Sequence, residues 1–194
     1  MNRLSHWFPL LLLAVLAGLT FWLDRTMQEA WRAPETARHD PDTIVENITA
    51  RRMDENGNVK HTLRARHMIH YPDNDSTHLV APHFTSNASA RAPVTITSRT
   101  ARISSGGEHI YFETDVRAVR AAYGEHSELV METSFLQVTP DENIARTDRP
   151  VTVTDAHTVA RAIGLELNSE TRTLKFLSQF RGTYHDPDRT AARK

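Results

Sequence analysis

The chain has 194 residues and a formal net charge of −1, with 23 Lys and Arg against 24 Asp and Glu. That balance lacks the concentrated basic footprint that a polyanion partner requires, so no nucleic acid is expected. Cysteine is absent, which excludes disulfides and thiol chemistry and leaves the compartment open, and the length allows one domain with a real core.

Residues 1–24 read as an anchor. The run WFPLLLLAVLAGLTFWL over residues 7–23 carries no charge. At about 1.5 Å per residue it nearly spans a hydrocarbon core of roughly 30 Å. Trp7 and Trp22 stand near its ends, where indole rings favour the headgroup level. The alternative, a cleaved signal peptide, needs a small-x-small site, and the run ends instead in Phe21, Trp22 and Leu23. A retained anchor is therefore the reading. Arg3 on one side and Arg25 and Arg32 on the other give no vote on orientation. Residues 25–42, with Pro34, Pro41 and alternating charges, read as a linker whose first part extends the helix towards Trp31.

Residues 43–185 read as strand, turn, strand, followed by a polar tail over 186–194. In RRMDENGNVKHTL, Asn56-Gly57 sits between two runs, a hairpin signal because glycine accepts positive φ. In HTLRARHMIHY the odd positions His61, Leu63, Ala65, His67, Ile69 and Tyr71 form a mostly apolar face, and the even positions a mostly basic one. PVTITS, HIYFETDV, ELVMETSFLQV and PVTVT follow, with Pro93 and Pro150 each read as opening a strand. IGLELNSETRTLKFL is a further hairpin, and the last strand is expected over residues 173–185. Runs ending at Phe84, Val116, Val151 and Phe180 recur at a spacing of about thirty residues, in the range where repeats stack. No amphipathic helix is available to cover a sheet. The expected fold is thus all-β, two facing sheets of antiparallel strand pairs like a jelly roll, preceded by one transmembrane helix.

Chemical signatures are weak. The eleven histidines lack zinc-site spacing, so no metal is expected. SSGGEH has no strand-to-helix elbow, and Gly106-Gly107 opens no helix that could cradle a phosphate. Glu113 and Asp115 give no coupled acid–base pair. No catalytic residue and no cofactor are expected, and an enzyme acting on envelope glycans ranks last. Basic residues on the strands, Arg64, Arg66, Arg99, Arg102, Arg117, Arg120, Arg161 and Lys175, read as solvated faces, with a rim meeting lipid phosphates as the sharper alternative.

An anchor, a linker and a cysteine-free domain of repeated strand pairs together resemble the LptC family of the lipopolysaccharide export system. The stretches that carry the resemblance are NITARRMDENGNVKHTLRARHMIHY, PVTITSRTARISSGGEHIYFETDVRAVR and RTDRPVTVTDAHTVARAIGLELNSETRTLKFLSQFRGTY. It implies a single-pass protein of the Gram-negative inner membrane whose domain, an open β-jelly roll, lies in the periplasm. It implies three partners: lipopolysaccharide, the inner-membrane ABC transporter with its transmembrane and ATPase subunits, and the periplasmic bridge protein. Gly57 matches the turn glycine of the family's first hairpin.

A groove between β layers suits such a carrier, since each buried methylene is worth about 0.8 kcal/mol and acyl chains do not cross water unaided. The residues expected to line it are Leu63, Ala65, Ile69, Ile96, Ile110, Phe112, Leu129, Met131, Leu165, Leu167 and Phe176. Alternation alone does not separate an open groove from a closed core. Thr173, Lys175, Leu177, Gln179 and Arg181 of the last strand are expected to form the edge that pairs with the bridge protein. Ala14, Ala17 and Gly18 are small enough to pack against transporter helices. A membrane-tethered scaffold that organises an envelope complex without carrying lipid is the other reading.

Overall fold

The computed structural model describes residues 7–31, 39–87, 92–171 and 173–185. The tail over 186–194, residues 32–38 of the linker and residues 1–6 lie outside them. The chain divides into two units, Met1–Arg38 and His39–Lys194.

The first unit holds α1, Trp7–Trp31, which continues past Asp24 for two further turns. From Leu11 to Leu23 its large apolar side chains are exposed, with no polar stripe among them. The hydroxyls of Thr20 and Thr26 donate back to the carbonyls of Leu16 and Trp22 at 2.7 and 2.8 Å, so neither adds an unsatisfied polar group to that surface. Among the described residues, no helix is long and apolar enough to cross a membrane.

The second unit is β1 (Thr43–Met53), β2 (Val59–Tyr71), β3 (Ser76–Val80), β4 (His83–Ser86), β5 (Val94–Thr97), β6 (Thr100–Ile103), β7 (Ile110–Arg120), β8 (Leu129–Thr139), β9 (Ile144–Thr154), β10 (Thr158–Asn168) and β11 (Thr173–Tyr184). Every pairing is antiparallel. β3 and β4 pair with the two halves of β2, and β6 and β5 with the two halves of β7. Each of these couples therefore acts as one long interrupted strand, and the chain is a meander from β1 to β11.

The long strands break near their middles. Asn47, Ala81, Asp115, Gly164 and Gln179 all have positive φ there, and the first three stand 34 residues apart. Extra residues accompany the breaks: pairing shifts between Glu113 and Val116, between Thr133 and Gln137, and between Ile163 and Leu165. Bulges bend a strand and increase its twist, so a line of them folds the sheet over. The thirty-residue recurrence in the sequence marks these corners, with Phe84, Val116, Val151 and Phe180 each one to three residues beyond one. Pro150 also belongs to a corner. It lies inside β9, not at a strand start, where the bulge tolerates its missing N–H.

The fold differs from two separate sheets. One eleven-stranded sheet supplies both layers. One cavity is lined both by Ala118, Met131 and Val153 and by Asn143, Leu167 and Leu174, and Arg52 at the end of β1 bonds Asp141 in the β8–β9 turn at 2.8 Å. The middle of the interior is solid: Phe112, Leu136 and Leu165 have no exposed surface, and Leu79 and Val116 almost none.

An apolar cavity with a polar rim

Cross-strand register arranges the inward face of one layer in rows. Leu63 faces Phe84, Phe84 faces Ile96, Ile96 faces Ala118, Ala118 faces Met131 and Met131 faces Val153. Directly opposed residues share a face, so this row is a continuous apolar floor. One pair further out, Arg52, His61, Ser86, Val94, Arg120 and Leu129 stand in register in the same way. All six line a cavity of about 720 Å³, together with Ala118, Met131 and Val153 of the floor. Asn143, Leu167 and Leu174 of the other layer close it from the opposite side. The floor residues are buried, whereas Met53, Asn87 and Leu174 at the rim are exposed, so the cavity opens to solvent at this end. Its volume is that of an ordinary small-molecule site.

The β1–β2 turn forms one lip. The Asp54 carboxylate accepts the N–H groups of Asn56 and Asn58 at 2.9 and 2.8 Å, and Gly57 takes φ +81°. Those bonds, the Asn58 N–H first, hold the Asp54 carboxyl below the usual carboxylate range. His61 is 7% exposed and its ring lies 5.4 Å from that of Phe84. Burial first, then the charges of Lys60 and Arg52, pushes its pKa down, so the imidazole is neutral near pH 7. Arg120 donates to the Ser127 carbonyl at 2.8 Å and lies 5.4 Å from the Tyr123 ring centre.

The eleven residues expected to line the groove divide three ways. Leu129, Met131 and Leu167 line the cavity. Ala65, Ile96, Ile110, Phe112 and Leu165 are buried in the packed core, with Leu63 and Phe176 partly buried against it. Ile69 is half-buried and outside the core cluster, and Met68 packs there instead. The inward set changes parity at the corner: Ala65 then Met68 in β2, Leu79 then Phe84 across β3 and β4, Met131 then Leu136 in β8. Unbroken alternation through His61 to Tyr71 therefore selects the wrong face beyond the bend. Arg120, on a face that the sequence marks as solvated, and His61 also line the cavity. The parity of His61 with Leu63 and Ala65 was the signal for its inward position.

Among the described residues β11 pairs only with β10, and β1 only with β2, so both stand at edges of the sheet. Thr173, Lys175, Leu177, Gln179 and Arg181 are all exposed on β11. Large apolar side chains are exposed along both edges: Ile44 and Met53 on β1, Leu177, Phe180 and Tyr184 on β11.

Residues 10–185 match the family described as LptC, lipopolysaccharide-assembly, LptC-related. The chain belongs to the LptC-related family. Its work is lipopolysaccharide transport, and its β domain is the periplasmic part of the LptC-related envelope machinery. No curated protein sequence matches it. Among solved structures it is similar to the crystal structure of LptH, the LptA homologous periplasmic component of the conserved lipopolysaccharide transport device from Pseudomonas aeruginosa. That likeness has 7% identity and a TM-score of 0.47, and it covers 77% of this chain and 98% of the other.

Proposed function

We propose that this LptC-related chain holds the acyl chains of lipopolysaccharide between its two β layers, accepting the lipid from an inner-membrane ABC transporter and passing it to a periplasmic bridge protein. The observation that carries the reading is the apolar floor row, which runs straight into a cavity open at the rim. A soluble domain that needed only stability would fill that space with side chains. Phe112, Leu136 and Leu165 fill the middle of the interior. A lipid that passes further must part the layers there. Among the described residues β1 and β11 are not paired to each other, which leaves a seam through which the layers separate without breaking a ladder.

The anchor reading rests on α1. Its 25 residues extend about 37 Å, and its uncharged, exposed surface from Leu11 to Leu23 suits lipid on every side. A single pass of this helix ties the chain to the membrane in which the transporter works. β-Augmentation supplies both docking contacts: the free edge of β1 pairs with the transporter, and that of β11 with the bridge protein. In-register pairing continues the sheet, and with it the apolar floor, from one protein to the next. No step of this route is chemical, so the chain acts as a carrier and not as an enzyme, and energy comes from the transporter.

Native mass spectrometry of the full chain in lipid discs, after incubation with lipopolysaccharide, tests the carrier reading. One bound lipopolysaccharide per chain is expected. A chain that assembles with its partners but never retains lipid is a scaffold, and that result overturns the proposal.

A further inference from the structure

The cavity rim contains two side chains with buried nitrogens that the fold leaves unpaired. His61 is 7% exposed, yet neither ring nitrogen has a hydrogen-bond partner among the described residues. Arg120 has its Nε buried and equally without a partner. The rest of that guanidinium is fixed by the Ser127 carbonyl and stacked near Tyr123, so its free N–H is held in place rather than wandering. Native folds pair nearly all such groups, and each exception asks for a ligand or a function. Both side chains line the same cavity and both belong to the same cross-strand row, three strands apart, which is about 14 Å at the usual strand spacing.

We propose that this rim row is a head subsite, in which His61 and Arg120 each donate an N–H to phosphate oxygens of an amphiphile whose apolar part rests on the floor row. The proposal rests on the carrier reading and adds to it a selectivity for the charged head. Charge favours an anion here over a neutral hydroxyl. Arg52 and Lys60 line the same cavity, with Arg52 also held by Asp141. Asp54 and Glu55 are the acidic side chains on the lip. The Asp54 carboxylate is occupied by its own turn, whereas Arg52, His61 and Arg120 all stand in the rim row. Guanidinium–phosphate hydrogen bonds are among the stronger polar contacts available to a protein, and a buried site screens them little.

Calorimetric titration of the full chain in phosphatidylcholine discs, with empty discs as the blank, tests this. The probes are hexyl phosphate, hexyl glucoside and inorganic phosphate. Hexyl phosphate is expected to bind at least tenfold more tightly than either of the others. His61→Phe keeps the ring stacked on Phe84, and Arg120→Met keeps most of the apolar stem. A single phosphate reaches one of two groups so far apart, so at least one of the variants is expected to weaken hexyl phosphate about tenfold, and both to leave hexyl glucoside unchanged. His61→Phe removes a buried unpaired polar group, so its melting temperature should not fall, which separates lost binding from lost folding. Equal binding of the two hexyl compounds, or unchanged hexyl phosphate binding in both variants, overturns the head subsite and leaves the groove standing. Inorganic phosphate binding as tightly as hexyl phosphate overturns the link between head and floor. Binding of neither hexyl compound overturns subsite and groove together.

Discussion

His61 couples the rim to pH through its burial. Its pKa in the folded protein lies below the ordinary value of 6.5, so the unfolded chain takes up a proton that the folded one refuses. The stability it contributes is fully present above about pH 6.5 and falls as the pH drops below that value, until the folded form also protonates. The carboxylates of Asp54, Asp73, Asp75 and Asp155 are held down by hydrogen bonds, and their contributions are lost only in a lower window, below the ordinary 3.8. Denaturant unfolding between pH 7.5 and 5.5 should therefore show a loss of stability in the wild type that is smaller in His61→Phe. Identical slopes in the two proteins would contradict the neutral, buried imidazole. Gly164 is the other residue whose role is local. It has φ +79° at the corner of β10, and a Cβ there would lie 2.8 Å from Leu177 Cδ1. Gly164→Ala should cost about 1–3 kcal/mol, from left-handed backbone strain and the displaced Leu177 side chain, as read by chemical denaturation.

The bent strand is the unit of this fold, and in β2, β8 and β10 its two halves obey different parities. Phe112 and Leu165 both belong to the packed middle, each fully buried. Phe112→Ala should cost about 3–5 kcal/mol and Leu165→Ala about 2–5 kcal/mol, by the same measurement. β11 is built differently. Its side chains are nearly all exposed, so its backbone edge is what it offers. Deleting residues 173–194 should abolish capture of the bridge protein while co-purification with the transporter persists; retained bridge capture would remove β11 from that role. The strands were legible in the sequence because alternation is a local property, as in ELVMETSFLQV. The corners were not, because a positive φ at Asn47, Ala81 or Gln179 carries no glycine to announce it. Hence alternation puts Ile69 inside where Met68 packs, and puts Pro150 at a strand start when it lies within β9. The candidate site was legible only in part for the same reason. Leu129, Met131 and Leu167 follow the local pattern, but the rows joining them to His61 and Arg120 exist only once register is set over several strands.

At the scale of the whole molecule, one sheet folded along its bulges encloses an interior that is solid in the middle and open at one rim. A meander of this kind has two free edges and no closing strand pair, so partners can extend it and its layers can part. A β-barrel of similar size would have neither freedom. The central claim is that lipid occupies the space facing the floor row and not the outer surface. Met131 and Glu132 are adjacent on β8, the first buried on the floor and the second exposed on the outer face, where it pairs with Arg117 at 3.2 Å. Photo-crosslinking amino acids placed at these two positions in cells exporting lipopolysaccharide therefore differ in little but the direction they face. The account predicts a lipopolysaccharide adduct from position 131 and none from position 132. Folded, exporting protein that gives no adduct at 131, or equal adducts at both, would contradict it.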